Sequence, residues 1–92
     1  MTISTEYAMT IALQAVAFLI ADEKSRDGLL RMTGIGPDDL RTGLENVEIL
    51  GGVLDFLLAN EPRLLTFCSE VGLDPELPAL ARARLLGPDP AW

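Results

Sequence analysis

Gly34-Ile35-Gly36-Pro37-Asp38-Asp39-Leu40 is the stretch on which the fold turns, and Gly72-Leu73-Asp74-Pro75-Glu76-Leu77 repeats its plan 38 residues later. Each reads as one helix stopping and another starting. Gly34 and Gly72 follow runs of helix formers, at the point where the chain must turn left-handed. A residue without a Cβ does so at no steric cost. Ile35 and Leu73 are then placed to fold back onto the last turn. Gly36 and Asp74 stand where an N-cap is wanted. Pro37 and Pro75 follow at the first helical position, where the missing N–H has no partner to lose. Asp38 and Glu76 fall in the first turn, where the helix dipole favours negative charge.

The echo extends upstream at the same offset. FLIADE at 18–23 aligns with FLLANE at 56–61, so Phe18 meets Phe56 and Asp22 meets Asn60. A period of this length points to one supersecondary unit used twice. The expected fold is therefore all-α: a compact bundle of five to six short helices, built from two related helical units at about 8–44 and 46–86. One domain spans 1–87, and residues 88–92, beginning at Pro88, form a C-terminal tail.

The periodicity places the helices. The first is expected from Glu6 to Ala21, with Met9, Leu13, Val16 and Ile20 as one stripe. Ile11, Phe18 and Leu19 cover another side, and a helix apolar nearly all round belongs in the centre. Ala8, Ala12 and Ala15 form a small-residue stripe that lets another helix approach closely. Asp22 caps a second helix over 23–33, in which Gly28 costs about 1 kcal/mol relative to Ala. A short helix follows from Pro37 to Leu44. Asn46 caps the next, through Ala59, with Leu50, Leu54 and Leu57 inward. Gly51-Gly52 inside it lowers helix propensity by about 2 kcal/mol, which close contact with the alanine stripe or another helix backbone would offset; the alternative is a break there, with the helix starting only after Gly52. Asn60 caps a helix ended by Gly72, and a last helix starts at Pro75. The core is expected to contain Leu13, Val16, Phe18, Leu54, Phe56 and Leu57.

Composition bounds function. Ninety-two residues with 49% apolar content and few aromatics require a core of Leu, Ile, Val and Ala. A chain this short hides only about 60–65% of its unfolded surface. Some apolar surface is then left outside, and such patches mark partner sites. The net charge is −7, from 14 acidic and 7 basic residues. This opposes binding to nucleic acid or an anionic membrane, both of which need a basic footprint. There is no His, and the single Cys cannot make an intramolecular disulfide, which suits a reducing cytoplasm. The apolar run over 8–21 is too short for a membrane span, which needs about 20 residues. Nor does MTISTEY supply the positive start of a secretory signal.

No constellation for chemistry is visible. Cys68 lies late in a helix on its apolar stripe, with no cation, base or helix start to lower its pKa. Asp22-Glu23 and Asp38-Asp39 lack calcium-loop spacing and sit at helix starts, where acids belong for dipole reasons. No Ser or Thr has a His or Lys partner in view. The expectation is a non-catalytic protein without cofactor or metal, acting through a second copy of itself or another protein partner across an apolar patch.

Two resemblances add to this reading. Gly34-Ile35-Gly36 resembles the hairpin of the helix-hairpin-helix family, whose Gly-x-Gly turn presents N–H groups to a DNA phosphate. That resemblance implies nucleic-acid binding as the alternative function. It covers about eight residues, and the second copy has Asp74 in place of the second glycine. Over most of the chain, the segments Ala12–Asp22, Thr33–Arg41 and Val53–Glu76 resemble a family of short bacterial proteins catalogued as domain of unknown function 3572. The family often shows Asp-Pro where this chain has Asp22-Glu23. This resemblance implies a small, all-helical cytoplasmic protein and carries over no functional residue.

Overall fold

The computed structural model describes residues 3–34 and 46–87. Gly36, Pro37, the expected helix over 37–44 and the tail at 88–92 lie outside these residues. Five helices make up the described chain: α1 Thr5–Ile20, α2 Glu23–Thr33, α3 Val47–Leu58, α4 Glu61–Val71 and α5 Leu77–Leu86. The molecule is an all-α bundle measuring 34 × 28 × 25 Å.

Short polar side chains start these helices. Ser4 Oγ accepts the Tyr7 N–H, Asp22 Oδ2 the Ser25 N–H, Asn46 Oδ1 the Glu48 N–H and Asn60 Oδ1 the Arg63 N–H, at 2.8–3.0 Å. Each bond satisfies a donor that the helix cannot. Glycines end α2 and α4. Gly34 (φ 71°, ψ 13°) and Gly72 (φ 71°, ψ 35°) are both left-handed. The last helix begins later than its sequence suggests. Pro75 and Glu76 form a turn in which Asp74 Oδ1 accepts the Glu76 N–H at 2.9 Å, and α5 starts at Leu77 with Pro78 in its first turn. Proline fits there for the same reason it would at Pro75: the first-turn N–H has no partner inside the helix.

α1, α3 and α5 form the centre, with α5 the main partner of both others, while α2 and α4 pack on the flanks. The alanine stripe points inward: Ala8, Ala12 and Ala15 are fully buried with Ile11 and Leu19. Ala81 of α5 is fully buried as well. Small side chains let helix axes approach, and this decides which face of α1 goes in. Leu13 therefore departs from the expectation: it lies outside, 40% exposed, as does Ile20. Both stand on the face opposite the alanines. Val16, Leu54 and Leu57 are buried, whereas Phe18 and Phe56 are half-buried against the core.

α3 runs unbroken through Gly51-Gly52. What packs on Gly51 is neither the alanine stripe nor a backbone but the Leu86 side chain, whose Cγ and both Cδ carbons occupy the space a Cβ would need. Gly28 has a similar purpose, for a Cβ there would come within 3.0 Å of the Phe56 ring. Phe18 meets Phe67 edge to face, with centroids 5.4 Å apart. No polar residue is buried among those described. The Arg82 guanidinium, reaching Asp55 at 2.7 Å and the Gly87 carbonyl at 3.1 Å, ties α5 to α3 at the surface.

Candidate functional site

Two surface features could carry function. The first is an open groove of about 470 Å³ between the α1–α2 corner and α4. Phe18, Ala21 and Pro62 line its apolar part, and Asp22, Ser25, Arg63, Thr66 and Glu70 supply its polar groups. Most of those groups are already engaged in building helices. Asp22 caps α2, and the Ser25 N–H and hydroxyl hold its carboxyl below the usual value of 3.8, with Lys24 and Arg63 adding smaller pulls. Thr66 donates its hydroxyl to the Pro62 carbonyl at 2.9 Å. Arg63 stacks its guanidinium 4.4 Å from the Phe56 ring centroid and donates to the Phe56 carbonyl at 3.4 Å. Such a stack contributes about 0.5–1 kcal/mol at an exposed site. The groove is an open seam between helices, and capping bonds already engage part of its polar lining. Arg63 escapes a sequence reading because its ring partner is set by the α3–α4 turn; the seven-residue spacing from Phe56 is its one signal.

Cys68 is 3% exposed, packed among the core residues of α4. Burial first, and the Asp74 charge second, push its thiol up from 9.0. That disfavours the thiolate a nucleophile needs. Among the described residues no group of three or more His, Cys, Asp or Glu could hold a metal ion. None of their helices is long and apolar enough to cross a membrane. Of the hairpin-like turns, the first is described only at Gly34. At the second, the Asp74 carboxylate already occupies the Glu76 N–H, a group a phosphate would have to take.

The second feature is the outward face of α1. Thr10, Leu13, Ala17 and Ile20 follow one another at helical spacing, and all are exposed. Glu6 precedes them on the same face, and exposed Lys24 stands just beyond the helix end, as the second residue of α2. Between Tyr7 and Ala21 there is no charged residue, the longest such interval in the chain. The expected structural turns do not meet this face. Gly34, Gly72 and Pro75 are exposed corners at helix ends, each with a local role.

Fold and surface together define a small all-α domain with an alanine-lined centre and one long uncharged helix face turned outward. The chain belongs to the family described as protein of unknown function (DUF3572), whose model matches residues 5–88. The match begins at the first residue of α1 and ends just past α5, so the family and the helical domain coincide. No curated protein and no solved structure matches the chain.

Proposed function

We propose that this protein is a non-catalytic interaction module that docks a protein through the outward face of α1. One observation carries the reading: Leu13 and Ile20, two large aliphatic side chains, are each 40% exposed on a helix with no charge from Tyr7 to Ala21. Scattered exposed apolar residues are ordinary, but a run on one helix face is what a partner surface offers. The cytoplasm, suited to a chain with a single free thiol, and an origin in two related helical units belong to the same proposal.

The test is affinity capture from native lysate with the wild-type chain and with Leu13→Glu as paired baits, read by mass spectrometry. Because Leu13 is already half in water, the variant keeps its fold, which circular dichroism checks. A protein held by the wild type and lost with Leu13→Glu supports the proposal. Identical captures from the two baits, with wild-type self-association equally unchanged by the substitution, would remove it.

A further inference from the structure

We infer that α2 is a hinged flank that opens as one unit while α1, α3 and α5 stay packed, and that its opening uncovers the Phe56 ring on α3. Burial along the helix carries this. Leu29 is the one buried residue of α2 among those described; Ser25, Gly28 and Leu30 are partly covered, and the rest are exposed, Met32 among them. α1 buries six residues and α3 five, and α4 and α5 bury two each. What holds an element down scales with the apolar surface it hides, so α2 is the least anchored of the described helices. Polar bonds do not make up the difference. Arg82 ties α5 to α3 through Asp55, and Arg63 ties α4 to α3 through the Phe56 carbonyl. Among the described residues no side chain within α2 bonds another helix, and the Arg26–Asp27 pair, 3.7 Å apart, is internal to it. From outside, the Arg63 charge acts on the Asp22 cap.

α2 is nevertheless well made as a helix. Asp22 caps its start and the left-handed Gly34 closes its end, so it opens as a piece rather than fraying residue by residue. The seat it leaves is specific. Gly28 lies so close to the Phe56 ring that a Cβ there would come within 3.0 Å of it. Ser25 lines the groove beside Phe18 and Ala21. Arg63 lines the same groove and stacks over Phe56. Lifting α2 therefore frees the ring face against Gly28, withdraws the Ser25 wall and extends the groove along Arg63 to Phe56. The closed molecule hides this aromatic surface behind a helix held mainly by one leucine.

Native-state hydrogen exchange of the full chain in rising urea, read amide by amide by NMR, tests this. Relative to their intrinsic rates, the α2 amides from Asp27 to Gly34 should exchange at least about tenfold faster than the slowest amides of α1 and α3. They should share one urea slope, smaller than the global one because less surface is exposed. Leu86→Ala removes the side chain seated on Gly51. It should speed the slowest α1 and α3 amides about tenfold and leave the α2 amides as they were at low urea. α2 amides that follow the global slope, or that Leu86→Ala speeds as much as those of α1, would mean that α2 opens only with the whole molecule and would overturn the inference. So would α2 amides with separate rates and no urea slope, the mark of fraying.

Discussion

Gly34 and Gly72 share a φ of 71°, and no atom lies within 4 Å of where a Cβ would project from either. The whole penalty for a side chain there is backbone strain, uncomplicated by a clash. Gly34→Ala and Gly72→Ala should each lower stability by about 1 kcal/mol, measured by urea unfolding. A neutral result at both would show that left-handed geometry does not hold these corners. Asp22 offers a pH test. Its folded-state pKa is depressed by the Ser25 N–H, so its contribution is present above the ordinary value of 3.8 and lost as pH falls through the lowered one. The melting temperature should therefore decline as pH drops below about 4. Asp22→Asn, which still caps but does not titrate, should flatten part of that decline.

Elements meet at glycines where side chains need room. Gly51 lies mid-helix in α3, and replacing it with Ala would raise helix propensity by about 1 kcal/mol. The added methyl would nonetheless overlap Leu86 at the end of α5. Gly51→Ala should thus destabilise the protein despite its better propensity. Gly51→Ala combined with Leu86→Ala should recover part of the loss, a positive coupling that a double-mutant cycle measures. Additive losses would mean that α5 does not seat on α3 through Leu86.

At the scale of the molecule, the buried core of the described residues is aliphatic apart from Cys68 and Phe67, and Phe67 is fully buried in α4 and meets Phe18 edge-on. Phe67→Ala should cost about 3–5 kcal/mol, a large share of the about 5–10 kcal/mol available to a domain this size. Thermal melting would show it, and a near-wild-type midpoint would place the weight of the core elsewhere. Phe56→Ala should cost less, because its ring is half-exposed and held between Gly28 and Arg63.

The ends of the described helices were legible in the sequence because capping is local chemistry. Asp22, Asn46 and Asn60 take N–H groups two or three residues ahead, and Gly34 and Gly72 turn left-handed where no other residue does so cheaply. The all-α class followed from the same signals. The start of α5 was misplaced by two residues because both Pro75 and Pro78 satisfy the first-turn rule, and a local rule cannot choose between them. What lay beyond the sequence was which side of α1 faces inward. Apolar residues cover that helix all round, so its periodicity offers two stripes and no preference. Packing decided: Ala8, Ala12 and Ala15 let α3 and α5 come close, which leaves Leu13 and Ile20 outside. The pairing of Gly51 with Leu86, and of Gly28 with Phe56, was equally invisible. A glycine in a helix is a local cost until the long-range partner that fills its space has been placed by the tertiary fold.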